Sequence, residues 1–481
     1  MNATLTILEA AVVMLGLVIL LLDLWMPAAQ RRNLGYAAAA VVGIIFAGSF
    51  LIDASQAQYA FGQMYVMDSL ALFFKRFFLL AAMAVLVMSV EFADRIPTGI
   101  SEYYALILFA LSGMMFAASA NDFILVFVAL ELITITFYIL TSFQRSRLPS
   151  LEAGVKYLIL GALSSAFMVY GIALVFGAAK TTNFNELAGA IRTIVGQPVY
   201  LLGLLLVLVG LGFKIAAFPF QIWAPDVYQG SPAPTTAFLA VGSKAAGIVL
   251  LLRVLFSAVP EVTANWTKLL MIVSGVTILY GNLCAIPQRN LKRLLGYSSI
   301  AHAGYMLLGV TAMSIAGSSA ILYYLGGYLF TVLAAFTVIC VVMREVEGDD
   351  ISGVAGLYQR SPLLAVAMTL AMVSLAGIPP LAGFFGKFLL LKAVIEKGAV
   401  QPMYYWLIGA ALVGVVISFY YYLGVVRAIF WSKAAESQTV IPLSRPVRFS
   451  LYACIAGMLY LGIFPNTLVN AAIQASKALR L

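Results

Sequence analysis

Apolar runs of about twenty residues recur along the whole chain, separated by short polar links carrying Gly, Pro, Arg and Asp. A helix rises about 1.5 Å per residue, so each run is long enough to cross a hydrocarbon layer ~30 Å thick. The pattern predicts fourteen spans, near 4–25, 34–52, 69–91, 103–119, 121–143, 152–178, 199–222, 235–257, 268–286, 290–311, 317–343, 362–396, 402–430 and 446–464. The longest polar gaps, near 180–198, 344–361 and 431–447, leave no room for a soluble domain. The expected fold is an all-α polytopic membrane protein, a single integral domain over residues 1–481.

Two spans depart from a plain lipid-facing helix. Span 7 runs Leu211-Gly212-Phe213-Lys214-Ile215-Ala216-Ala217-Phe218-Pro219, where the proline removes a backbone donor and the glycine loosens the preceding turn. Span 12 holds Ala376-Gly377-Ile378-Pro379-Pro380, then Gly383, Gly386 and Lys387, and is too long for one straight crossing. Interrupted backbone at membrane depth requires protein or a water-lined cavity to satisfy the freed groups. Paired interruptions of this kind mark inverted repeats in transporters. The two lie five spans apart, an odd number, so the units run in opposite directions across the membrane. The expected repeats cover spans 4–8 (103–257) and spans 9–13 (268–430), each with one broken helix.

A composition of 63% hydrophobic and 10% charged residues excludes a soluble globular protein. The net charge of +9 is not a nucleic-acid footprint, because Lys and Arg gather on the cytoplasmic links of membrane proteins. With the N-terminus outside, fourteen basic residues, Lys433 among them, fall on cytoplasmic links, against seven opposite, Arg480 among those. Both termini are therefore expected on the outer face. Glu9 enters the first apolar run, which reads as a retained helix rather than a signal peptide. Cys284, Cys340 and Cys454 stand apart and suggest neither a metal site nor a cluster.

The candidate chemistry lies at mid-membrane. Lys214, Lys244 and Lys387 sit deep in apolar stretches, Glu131 lies in span 5 and His302, the sole histidine, in span 10. A lysine at that depth costs at least about 2.5–3.5 kcal/mol, so it requires a partner, a hydrated cavity or a task. A set of such groups, of types that bind and release protons, reads as a proton or cation pathway. Glu131 has no neighbour of opposite charge in Ala129-Leu130-Glu131-Leu132-Ile133, and Lys214 is its expected ion-pair partner. Lys244, between Gly242 and Gly247, and His302 form the expected connection, and Lys387 the far end. Glu152 and Lys156, four residues apart, are an accessory pair that equally reads as helix stabilisation. Lys75, Lys392 and Lys397 are expected to snorkel, and Phe419-Tyr420-Tyr421-Tyr422 to pack or line an interface.

Three blocks carry a family resemblance. Gly212-Phe213-Lys214 through Pro219-Phe220, Trp223, Pro225-Asp226-Val227-Tyr228-Gln229-Gly230 and Pro232-Ala233-Pro234 is the first. Asn290-Leu291-Lys292-Arg293 through Ser298-Ser299-Ile300-Ala301-His302 is the second, and Gly377-Ile378-Pro379-Pro380 with Gly383-Phe384 and Gly386-Lys387-Phe388 the third. Together they resemble the antiporter-like membrane subunits of respiratory complex I, over nearly the whole chain. One branch of that family carries a long lateral C-terminal helix, absent here, and another usually has glutamate at the Lys387 position.

The resemblance implies a proton-translocating subunit of a complex I-type NADH:quinone oxidoreductase, with no redox centre, cofactor or metal of its own. Its implied partners are other antiporter-like and small membrane subunits, through them the redox arm, and the lipid bilayer of a bacterial plasma membrane. The implied roles are Glu131 and Lys214 as a modulating pair, Lys244 and His302 as a relay, and Lys387 at the exit side. Gln221 departs from the histidine many relatives have there. The alternative reading is a subunit of a multisubunit cation/proton antiporter without a redox partner. A scaffold that only links other subunits is a third.

Overall fold

The computed structural model describes residues 3–96, 98–344, 348–432 and 440–479; Lys433 and Arg480, two of the charges behind the expected sidedness, lie outside the described residues. The main helices are α1 Ile7–Asp23, α2 Leu34–Gly48, α3 Ser69–Phe92, α4 Ile100–Ala118, α5 Phe123–Thr141, α6 Leu148–Ala179, α7 Pro198–Ile215 and α8 Trp223–Gly230. They continue as α9 Ala233–Ala258, α10 Thr267–Ala285, α11 Leu291–Thr311, α12 Ile315–Val342, α13 Pro362–Ala376, α14 Ala382–Gly398, α15 Tyr404–Trp431 and α16 Arg445–Ile463. A short antiparallel hairpin, β1 Gln58–Ala60 with β2 Tyr65–Met67, links α2 to α3.

Twelve helices among the described residues are long and apolar enough to cross a membrane. The two remaining expected spans are present in other forms. One is α11, whose Ser298, Ser299, His302 and Tyr305 lower its hydropathy and are all buried against other helices. The other is split into α13 and α14. Helices α9 and α12 are enclosed, with 100% and 94% of their central windows buried, whereas α1 and α6 each bury 28%. The bundle thus has an inner set, α9, α11 and α12, which need not be uniformly apolar because lipid never touches it.

Polar side chains fix the helix starts. Asp68 accepts from the Ala71 amide, Asp122 from Ile124, Asn290 from Arg293 and Ser314 from Gly317. Each satisfies a donor that the first turn leaves open. At the first break, α7 ends at Ile215 and Ala216 turns left-handed, with φ of 57°. The freed groups find partners: the Phe213 carbonyl accepts from Trp223 Nε1 at 2.9 Å, and the Phe218 amide donates to Thr277 Oγ1 at 3.1 Å. At the second break Gly377 is left-handed, with φ of 87°, and Ser374 Oγ accepts from the Gly383 amide at 3.2 Å.

Lys75 corrects the snorkelling expectation. Its side chain is fully buried and lies 2.7 Å from Glu9, while Tyr65 accepts from its ammonium at 2.6 Å. Hydropathy missed the pair because its members stand 66 positions apart and Glu9 is the only acid in α1's first turns. Asp68 and Arg253 make a second buried pair, at 2.8 Å and 3.0 Å, joining α3 to α9. Lys392, by contrast, is exposed beside Glu396, as a snorkelling residue should be.

Removing one member of a buried pair strands the other charge, at a cost of about 3–5 kcal/mol. Glu9→Gln is therefore expected to lower the thermal unfolding midpoint of the detergent-solubilised protein sharply. The apolar double variant Glu9→Leu/Lys75→Met should recover most of the loss; equal instability of both variants would show that the charge pair is not what Glu9 contributes.

Candidate functional site

The five expected residues all lie in the described part of the molecule, and three of them mark helix midpoints. Glu131 is central in α5, Lys244 in α9 and His302 in α11. Lys214 is the penultimate residue of α7, which stops inside the membrane, and Lys387 lies in the second turn of α14, after the other break. Lys214, Lys244, His302 and Lys387 are at most 5% exposed.

Lys214 does not form the expected ion pair with Glu131. Its ammonium donates to Thr134 Oγ1 at 2.9 Å and to the Tyr157 hydroxyl at 3.4 Å. The Glu131 carboxylate instead accepts from Ser165 Oγ on α6. Each ion has found a neutral partner, so neither is driven onto the other. Glu131 is only half-buried, and its neighbours Val128 and Leu132 face outward. A carboxylate at mid-bilayer depth is costly to leave against lipid.

Lys244 follows a π-helical turn, Leu239–Ser243, which rotates it toward α11. There its ammonium donates to the carbonyl and hydroxyl oxygens of Ser299. The same hydroxyl lies 3.0 Å from the Tyr228 hydroxyl and accepts from Tyr328 at 3.2 Å. The preceding residue, Ser298, hydrogen-bonds Tyr422, which sits 3.0 Å from His302 Nε2; Nδ1 of the same ring bonds Tyr324. His302 is thus held between two tyrosines. The run Phe419–Tyr422 is therefore not a simple belt: Tyr420 faces outward, whereas Tyr421 and Tyr422 point inward to Asn282 and His302.

Lys387 closes on the second break. Its ammonium donates to the carbonyls of Leu375 at 2.8 Å and Ala376 at 3.0 Å, the open C-terminal end of α13. Carbonyls freed at a half-helix end carry partial negative charge and suit a cation. The ammonium also lies 5.0 Å from the centre of the Tyr305 ring, which stands 6.2 Å from the His302 ring. Gly377 is obligatory here, because a Cβ would come within 2.9 Å of the Lys387 side chain at a left-handed φ.

Glu152 and Lys156 form the expected pair at 2.7 Å, but Lys156 also contacts Asp226 of α8 at 2.8 Å. Asp226 in turn pairs with Arg293 of α11. The accessory pair thus belongs to a surface network joining α6, α8 and α11. Sequence reasoning also missed Thr134, Tyr157, Ser165, Ser299, Tyr324 and Tyr422. A hydroxyl inside an apolar run carries no signal of its own; its partner is visible only once the helices pack.

Lysines divide cleanly by partner. Lys75, Lys156 and Lys292 each have a carboxylate within 2.9 Å. Lys214, Lys244 and Lys387 have none within 4.0 Å among the described residues, and are held by hydroxyls and carbonyls. An ion-paired lysine that gave up its proton would leave a stranded carboxylate; one held by neutral acceptors leaves nothing charged behind.

Residues 120–418 match the family described as NADH:quinone oxidoreductase/Mrp antiporter membrane subunits. The chain is 40% identical to NADH-quinone oxidoreductase subunit N of Moorella thermoacetica, over 98% of this chain and 97% of that protein. It is 38% identical to subunit N of Heliobacterium modesticaldum, over the full length of both. Among solved structures it resembles a chain of respiratory complex I from Thermus thermophilus, with TM-score 0.79, 34% identity and coverage of 96% and 99%. A chain of the Mrp complex from Dietzia shares the fold, with TM-score 0.82 at 20% identity over 98% of each chain.

Gly377→Ala is expected to push Lys387 off the Leu375 and Ala376 carbonyls and to destabilise the fold by about 1–3 kcal/mol, as overpacking does. A fall in the thermal midpoint, together with altered electron density for Lys387, checks this. An unchanged Lys387 position would show that the lysine does not depend on the glycine.

Proposed function

The chain belongs to the subunit N family of NADH-quinone oxidoreductases, membrane subunits that translocate protons, and from that premise we propose that Glu131, Lys214, Lys244, His302 and Lys387 carry the protons. The observation that carries the reading is the partner division. Among the described residues the three mid-membrane lysines alone of the buried ones rest on neutral acceptors, the condition under which a lysine gains and loses a proton without stranding a charge.

In this reading Lys214 takes up a proton, and Lys244 and His302 pass it along the hydroxyl-rich α11. The Ser299, Ser298, Tyr422 and Tyr324 hydroxyls supply the intermediate donors and acceptors. Lys387 releases it at the second break. The Tyr157 ring packs on Lys214 and Trp223 and keeps bulk water from short-circuiting the first half. Glu131, on the outward side, exchanges a proton with Lys214 and so couples it to charge on a covering subunit. Glu152 and Lys156, tied to Asp226 and Arg293, hold α8 against α6 and α11 and are structural.

Electron transfer takes place in partner subunits, and this chain binds no cofactor of its own. Moving one charge against 100 mV costs about 2.3 kcal/mol, a drive that reaches this subunit through its neighbours. The two breaks, one after Lys214 and one before Lys387, support two five-helix units in opposite orientation, 103–257 and 268–430. The excess of Lys and Arg on alternate links supports both termini on the outer side of the bacterial membrane. The rival reading, a cation/proton exchanger without a redox partner, keeps the same lysines; gene neighbours encoding cluster-binding subunits separate the two.

Lys214→Ala in the assembled complex tests the proposal. Proton pumping, measured in membrane vesicles, is expected to fall by about tenfold or more with assembly intact, a loss of at least ~1.4 kcal/mol at the transfer step. Intact pumping would remove Lys214 from the pathway, and failed assembly would point to a scaffold.

A further inference from the structure

Between α5, α6 and α7 lies a cavity of about 10 Å³, lined by Thr134, Ser164, Ser165 and Lys214 with Gly161 and Gly210. A buried water needs roughly 10–15 Å³ and two to four polar partners. The lining meets both conditions for one water. Neither glycine has room for a side chain: a Cβ on Gly161 would lie 2.1 Å from the Tyr138 hydroxyl, and one on Gly210 2.7 Å from Met168 Cβ. The helices are therefore held at the separation that sets the size of the cavity.

Two of the hydroxyl protons around it are already committed. Thr134 donates to the Leu130 carbonyl, so toward Lys214 it offers only a lone pair. Ser165 donates to Glu131, so toward the cavity it too offers a lone pair. Lys214 spends two of its donors on Thr134 and Tyr157, and an ammonium has three. Lys214, with one donor left, and Ser165, with a lone pair left, line the same cavity.

We propose that a single water bound in this cavity completes a donor-ordered wire, Lys214 to water to Ser165 to Glu131, and that Ser165 relays the proton between the two ionisable groups. The proposal rests on the proton-translocating role given to Lys214. In the transfer, the Lys214 N–H bond breaks as an O–H bond forms on the water. The water gives its other proton to Ser165 Oγ, and the Ser165 proton passes to the Glu131 carboxylate. Lysine ends neutral and Glu131 protonated; water and Ser165 are regenerated with their hydrogen bonds reversed, so no co-reactant is needed. The missing ion pair between Glu131 and Lys214 then has a use: the two groups exchange a proton without collapsing into a contact that would hold it.

Three variants in the assembled complex test this: Ser165→Ala, Ser165→Thr and, as comparator, Lys214→Ala, each read by proton pumping and by its solvent deuterium isotope effect. Ser165→Ala is expected to pump at least about tenfold slower, approaching the hundredfold or more typical for loss of one proton-transfer group, and Ser165→Thr to restore both rate and isotope effect. Wild-type pumping by Ser165→Ala beside a defective Lys214→Ala overturns the wire and leaves the role of Lys214 standing. Wild-type pumping by both overturns that role as well. Should Ala and Thr impair pumping alike, a water-resolving structure of the wild-type complex decides: an ordered water within hydrogen-bond distance of Lys214 Nζ and Ser165 Oγ sustains the proposal, and none there overturns it.

Discussion

The constraint behind the molecule is the price of an ammonium group in a medium that cannot solvate it. A charge taken from water into the interior loses several kcal/mol of hydration, and the protein either pairs it or surrounds it with dipoles. This chain does both, in different places. Pairing is used where helices must be fastened: Glu9 with Lys75 ties α1 to α3, Asp68 with Arg253 ties α3 to α9, and Asp349 with Lys292 anchors the start of α11. Dipoles are used at mid-membrane, where hydroxyls and helix-end carbonyls hold the three central lysines. The two helix breaks belong to the same economy of charge. At the second break the interruption supplies the acceptors directly, because the carbonyls of Leu375 and Ala376 at the open end of α13 are free to hold Lys387.

Much of this is legible in the sequence, for a physical reason. Length of apolar run, depth of a charged residue within it and Gly-Pro interruption are local properties, so the helices corresponding to the fourteen spans, both breaks and the depth of Glu131, Lys214, Lys244 and His302 follow from reading along the chain. What fails is everything that depends on which helices touch. Lys75 looks like an end-of-span residue, yet faces Glu9 from another helix. Glu131 and Lys214 look like obvious partners because they are opposite in sign and similar in depth. Thr134, one turn beyond Glu131 on α5, and Ser165, on α6, intervene. Tyr420, Tyr421 and Tyr422 are indistinguishable in one dimension, but helix rotation sends the first outward and the other two to Asn282 and His302.

Burial also explains why hydropathy undervalues α11. A helix that faces lipid is constrained on every exposed position, whereas α11 is enclosed by α8, α10, α12, α14 and α15 and is free to carry Ser298, Ser299, His302 and Tyr305 on its sides. Those four residues make it the most polar of the crossing segments and, in the proposed relay, the one through which the two halves communicate. Close approach to α10 is what admits them: a Cβ on Gly304 would lie 2.7 Å from Ile278, and one on Gly281 would lie 2.4 Å from the backbone of α11. Small residues at the contact let backbones come together, so the polar side chains of α11 are directed to its other neighbours rather than to lipid.

Neutral solvation has a consequence for the proposed transport. A lysine bound to a carboxylate sits in a deep well, and moving its proton requires pulling the pair apart. Hydrogen bonds to charged groups contribute about 1.5–3 kcal/mol each and can be exchanged one at a time, whereas separating two buried charges costs several kcal/mol in one step. In the proposed relay, replacing the carboxylate by hydroxyls and carbonyls removes the step of separating opposite charges, so the roughly 2.3 kcal/mol per 100 mV of each transferred charge is the work the neighbours supply. In that reading, charge arriving beside the half-buried Glu131 is what tips the balance between the protonated and neutral lysines.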